Sequence, residues 1–137
     1  MTEEIYLLDH NLKGIDPMVQ KLTDKAGRYL PTDGRSRFRI SATEALTNLV
    51  LHARNCTPDA VIKVILQVNE PQVDLEIYDP EGADPFDVPK NATHLDTIDA
   101  MAEGGRGLGL IMACSDAVKY GATNAGNRLK LSFNRHG

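Results

Sequence analysis

The sequence predicts an α+β fold: a two-layer sandwich with helices on one face of a mainly antiparallel sheet. Three observations predict it. The strand-forming stretches come in adjacent pairs separated by a few residues, and short turns join antiparallel neighbours. The helical periodicities stand between those pairs and do not alternate singly with strands, so the helices segregate to one face. A length of 137 residues with 42% hydrophobic content suits one domain, residues 1–137, around one core.

The first strand candidate is "EIYLLD", residues 4–9. "GIDPMVQKLTDKAGRYL" follows, with Asp16 expected as N-cap and Pro17 at the first helical position. Met18, Val19, Leu22, Ala26, Tyr29 and Leu30 then repeat at helical spacing. "PTDGRSR" reads as a connection, because Pro, Asp and Gly cluster there. A second helix is expected to begin near Arg35–Arg39 and to end around Arg54–Cys56, before Pro58. "AVIKVILQV" (60–68) and "VDLEIYD" (73–79) are rich in β-branched residues and form a hairpin through Asn69–Gln72. Residues 80–103 carry three prolines and six acidic residues without periodicity. A stretch that long inside a compact domain reads as a lid, about 80–104. "GGRGLGLIMACSDAV" is a glycine-rich turn running into a helix. "AVKYG" and "NRLKLSFN" close the chain as a second hairpin, with Leu129, Leu131 and Phe133 alternating inward. The expected order is β-α-α-β-β-lid-α-β-β.

Composition excludes several classes. Net charge is −4 with no basic tail, which argues against direct nucleic-acid binding by phosphate neutralisation. Arg28, Arg35, Arg37 and Arg39 form the local exception, and a solvated helix end accounts for them. Cys56 and Cys114 are too few for a disulfide framework, and the four histidines show no ligand spacing with them. No apolar run approaches the roughly 18 residues of a membrane helix, and no signal segment opens the chain. The expectation is a cytoplasmic protein with no membrane contact.

Three places could carry chemistry. The first is "ISATEALTNLVLHA", residues 40–53. Ala42, Ala45, Leu46, Leu49, Val50 and Ala53 cluster on one side of this helix, which packs on the sheet. Glu44, Asn48 and His52 recur every four residues on another side, bordered by Ser41 and Thr47. A solvent face is one reading, although such a face would carry Lys and Arg. The other divides two tasks: the amide oxygen of Asn48 holds a hard cation such as Mg²⁺, and the carboxylate of Glu44 accepts a proton from a hydroxyl or water. His52 fits a hydrogen-bonded structural histidine better than a catalytic one.

The second place is Asp79, which shares parity with Val73, Leu75 and Ile77 and so points to the buried side. It either caps the turn before Pro80 or accepts from a ligand donor such as the adenine amino group. The third is "EGGRGLGL", 103–110. Its glycines let the backbone approach a ligand, and the helix that follows offers free N–H groups to phosphate. Neither a Walker A loop nor a dinucleotide fingerprint is present, since no Lys-Ser/Thr follows and Met112 stands where a third glycine would be.

Taken in order, these stretches resemble the Bergerat-fold (GHKL) ATP-binding proteins, with the histidine-kinase-like ATPase fold. Within that superfamily the likeness is closest to the small bacterial serine kinases that act as anti-sigma factors. "ISATEALTNLVLHA" resembles their asparagine box, "DPEGADPFD" the first glycine box, "EGGRGLGLIM" the second, and "GNRLKLSF" the closing strand. The resemblance implies ATP and Mg²⁺ as cofactors, Glu44 as general base and Asn48 as Mg²⁺ ligand. It implies that Asp79 reads adenine, that Gly82 lies beneath the nucleotide, and that Gly105, Arg106, Gly107, Leu108 and Gly109 hold the phosphates. His52 and Arg54 would line the phosphate end. One departure stands out: the relatives' glycine usually comes two residues after the aspartate, and here Pro80 and Glu81 place Gly82 one position later.

The resemblance further implies a protein-serine kinase acting as an anti-sigma factor in a partner-switching system. Its substrate would be a STAS-domain anti-anti-sigma protein, its alternative partner a sigma factor, and its working form a homodimer. The alternative is a non-catalytic ATP-binding switch that regulates a phosphatase or other partner by contact.

Overall fold

The computed structural model describes residues 2–52, 59–80, 82 and 106–136. These residues form β1 (Thr2–Asp9), a 3-10 turn (Leu12–Gly14), α1 (Ile15–Ala26), α2 (Thr32–His52), β2 (Val61–Val68), β3 (Gln72–Tyr78), α3 (Arg106–Cys114), β4 (Ala117–Thr123) and β5 (Gly126–Asn134). The strands make one five-stranded sheet in the order β1-β2-β3-β5-β4. All four pairings are antiparallel. The α+β expectation therefore holds. No helix among the described residues is long and apolar enough to cross a membrane.

Register decides which side chains become core. Leu66 faces Leu75, Leu75 faces Leu131, and Leu131 faces Val118, so one apolar row crosses four strands. The next row runs Tyr6, Val64, Ile77, Leu129, Tyr120. The helices cover this face with Val19, Leu22 and Ala26 of α1 and Phe38, Ala42, Ala45, Leu46 and Leu49 of α2, all buried. Phe38 meets Phe133 of β5 at 5.0 Å between ring centroids, tilted by 60°. Each buried Leu, Ile or Phe contributes about 1.5–3 kcal/mol over the exposed state, and this face holds most of them.

The opposite sheet face carries acids. Asp74 and Glu76 are buried there, yet each has donors. Ser132 Oγ donates to Asp74 at 2.7 Å and Gln72 Nε2 at 2.7 Å, with Lys130 Nζ at 3.8 Å. Tyr78 Oη donates to Glu76 at 3.1 Å, with Arg128 at 3.5 Å. A buried carboxylate needs such partners to offset lost hydration.

Three local expectations are corrected. Asp16 is not an N-cap. The 3-10 turn, capped by Asn11 through Lys13 N–H at 3.0 Å, feeds straight into α1, so Gly14 precedes the helix. Pro17 falls third, still in the first turn where its missing N–H costs nothing. "TDGRSR" is not a connection but the start of α2: Arg35 N–H already bonds Pro31 O at 2.9 Å, and Asp33 sits in the first turn, where a carboxylate complements the helix dipole. Tyr29 leaves the apolar row. It lies beyond the end of α1, 38% exposed, with the Arg135 guanidinium 5.1 Å from its ring centroid.

Candidate functional site

Glu44, Asn48 and His52 lie on α2, each half-buried. At about 100° per residue, they share an arc of roughly 80° with Arg37 and Ser41. That arc faces α3. Ser41 Oγ lies 3.0 Å from Ser115 Oγ, and Arg37 Nη1 donates to Cys114 O at 3.3 Å and pairs with Asp116 at 3.5 Å. The polar stripe thus continues a row that contacts another helix, and is not a freely solvated face. Sequence reasoning assigned Arg37 to a solvated helix end; the structure instead uses it to hold the end of α3. An arginine at a helix C-terminus satisfies free carbonyls and complements the dipole.

The side chains of Glu44, Asn48 and His52 have no hydrogen-bond or ion-pair partner among the described residues. The contrast with Asp74 and Glu76 is informative. Where this chain buries acids for structure it supplies donors, and at Glu44 none stands among the described residues.

Asp79 follows β3 and is half-buried, continuing the inward row of Val73, Leu75 and Ile77. Its N–H donates to Asn127 O at 3.0 Å. Its Oδ2 accepts from Tyr120 Oη at 2.6 Å, reaching from β4 across β5. Among the described residues the side-chain bond runs to another strand. Burial raises the carboxyl above its ordinary range, and the Tyr120 bond acts in the opposite sense. Sequence reasoning missed Tyr120. The signal was there in strand parity: Val118 and Tyr120 share the inner face, and a buried-side phenol requires a polar partner.

Beyond buried Pro80, Gly82 has φ of +85°, a backbone region that favours glycine. The glycine-rich stretch does not stop ahead of its helix, as expected. Arg106, Gly107, Leu108 and Gly109 open α3 itself. A Cβ added at Gly109 would meet no atom of the described residues beyond its own helix turn within 4 Å. Gly105, Arg54 and most of the proposed lid lie outside the described residues. No cluster of three or more His, Cys, Asp or Glu suited to a metal occurs among the described residues.

In comparison with known families, residues 11–133 match the histidine kinase-like ATPase domain. No curated protein gives a significant match. The match spans nearly the whole chain, from the residues after β1 to the end of the closing strand, and includes α2, Asp79 and α3. The chain therefore belongs to the histidine kinase-like ATPase domain family, an ATP-binding module of the GHKL superfamily.

Proposed function

We propose that this chain is an ATP-dependent protein-serine kinase acting as an anti-sigma factor, with a STAS-domain antagonist as substrate. The observation that carries the proposal is Glu44: a half-buried carboxylate without a partner among the described residues, one turn from Asn48, on the arc of α2 that faces α3.

The donor set suits ATP. Asp79 offers an acceptor in a half-buried position, suited to a purine amino group. Asn48 offers a neutral oxygen, which suits Mg²⁺. The amides opening α3 suit phosphate oxygens, since a helix N-terminus presents unpaired N–H groups and a positive dipole end. Gly109 adds support. Glycine inside a helix costs about 0.8–1 kcal/mol relative to alanine, and among the described residues no atom beyond its own helix turn demands it. Close approach of a ligand supplies a reason for keeping it.

Bound ATP and Mg²⁺ supply the activated phosphoryl group and neutralise its charge. Glu44 would accept the proton of a partner's serine hydroxyl as that oxygen bonds the terminal phosphorus and the bond from that phosphorus to ADP breaks, ADP leaving. General-base help of this kind is typically worth about 10²–10⁴-fold in rate. Asn48 and Glu44, four residues apart, have Cβ atoms about 5–6 Å apart, which places metal ligand and base side by side. Arg106, His52, Arg54, Gly105 and Gly82 complete the nucleotide contacts in this reading. A sigma factor competes with the antagonist for the same chain, which works as a homodimer.

Incubation with radiolabelled ATP and candidate STAS proteins tests the reading. Label on a partner serine is the expected result. ATP-dependent partner binding without transferred label would replace the kinase with a contact-only switch.

A further inference from the structure

Asp79 is held at two points by two strands. Its backbone N–H is tied to Asn127 O of β5 at 3.0 Å, and its carboxylate to Tyr120 Oη of β4 at 2.6 Å. Between them these bonds set where the carboxylate sits and how its plane is turned. A carboxylate fixed through one oxygen presents the other in a defined direction. A freely rotating one would accept donors over a wide arc and select among them poorly.

We propose that Tyr120 is the specificity-determining partner of Asp79, orienting its carboxylate so that the pocket accepts a base with an exocyclic amino donor and rejects a base with a keto oxygen in that place. The proposal rests on the reading of Asp79 as the base-recognising residue. Tyr120 acts through Asp79 and need not touch the nucleotide, so it is a positioning residue.

The chemistry behind the selection is that of acceptor and donor. An ionised carboxylate only accepts hydrogen bonds; a protonated one also donates. A 6-amino purine needs the first, and a 6-oxo purine can use the second. Burial favours the protonated form of Asp79, while the phenol's bond favours the ionised one. The Tyr120 bond therefore works toward the state that discriminates. Among the described residues, Tyr120 is the side chain that acts on the Asp79 carboxyl.

The test is Tyr120→Phe in the full chain, with ATP and GTP binding followed by calorimetry between about pH 5 and pH 8. Hydrogen bonds to charged groups are worth about 1.5–3 kcal/mol, so ATP affinity should fall by about tenfold or more at neutral pH. The ATP-over-GTP preference should narrow. Loss of the phenol's bond should also let Asp79 protonate more readily, so ATP binding should fade at a higher pH than in the parent chain. A variant that only loosened packing would not move that acid limb. Parental affinity, preference and pH profile in the variant would overturn the proposal while leaving Asp79 as base reader. If Asp79→Asn binds ATP as the parent does, the reading of Asp79 falls and takes the proposal with it. Should Tyr120→Phe fail to fold, the parent chain supplies the test by NMR. Titration with ADP must shift the Tyr120 ring resonances, and unmoved resonances would refute the role.

Discussion

The hydroxyls of Ser41 and Ser115 meet at 3.0 Å, both buried, where α2 touches the residue that follows α3. Arg37, one turn earlier on α2, grips the same end through Cys114 O and Asp116. The helix that carries Glu44 and Asn48 is thereby fixed to the helix that the glycine stretch opens. Two parts of the candidate site, remote in sequence, share one mechanical joint.

That joint has a measurable coupling. Ser41→Ala leaves the Ser115 hydroxyl buried without its partner, a loss of about 1–3 kcal/mol. The double change Ser41→Ala with Ser115→Ala should cost clearly less than the sum of the single changes, read from urea denaturation. Additive costs would mean that the two hydroxyls do not interact energetically.

Gly109→Ala separates stability from binding. The added Cβ meets no atom of the described residues beyond its own helix turn within 4 Å, and alanine is the better helix former. Stability should rise by up to about 1 kcal/mol, while ATP affinity drops because the methyl intrudes where phosphate approaches. Undiminished ATP affinity in calorimetry would remove Gly109 from the phosphate contacts.

Asp79 should trade stability for recognition. Burial raises its pKa in the folded chain, so the folded state binds the proton more tightly than the unfolded one. The resulting stability is present below the ordinary aspartate range and is lost as pH rises through the raised value. At neutral pH the ionised side chain is a net cost. Asp79→Asn removes that charge and still offers an oxygen to the Tyr120 hydroxyl. Its thermal midpoint should exceed the parent's at neutral pH, and the gap should close at about pH 3, while ATP affinity is lost. A gap that widened on acidification would contradict the sign of the shift.

Glu44→Gln keeps size and shape but cannot accept the proton. Nucleotide affinity should stay within about twofold of the parent, and label transfer to a partner serine should fall by about 10²–10⁴-fold. Undiminished transfer would rule out Glu44 as the base.

Much of the scaffold was legible because its signals are local. The β-branched runs at 61–68 and 72–78 and the alternation of Leu129, Leu131 and Phe133 mark strands whatever surrounds them. Helix starts were read less well. Pro31, Thr32, Asp33 and Gly34 look like a turn, and the same residues also suit a helix N-terminus, which is how the structure uses them. For the site, the polar stripe of α2 and the inward parity of Asp79 were visible as spacing. The Tyr120 contact was not, because 41 residues separate it from Asp79.

By itself the sequence determined the strand and helix inventory, the antiparallel pairing, the family, and the residue types available for a nucleotide site. The inventory, the pairing and the residue types follow from periodicity and side-chain chemistry, which act over a few residues; the family follows from the likeness of the ordered motifs. Only the tertiary structure decided that Arg37 holds α3, that Ser41 finds Ser115, and that Tyr120 reaches over β5 to Asp79. Such contacts depend on strand order and helix packing, and the chain meets them only after distant segments have been brought side by side.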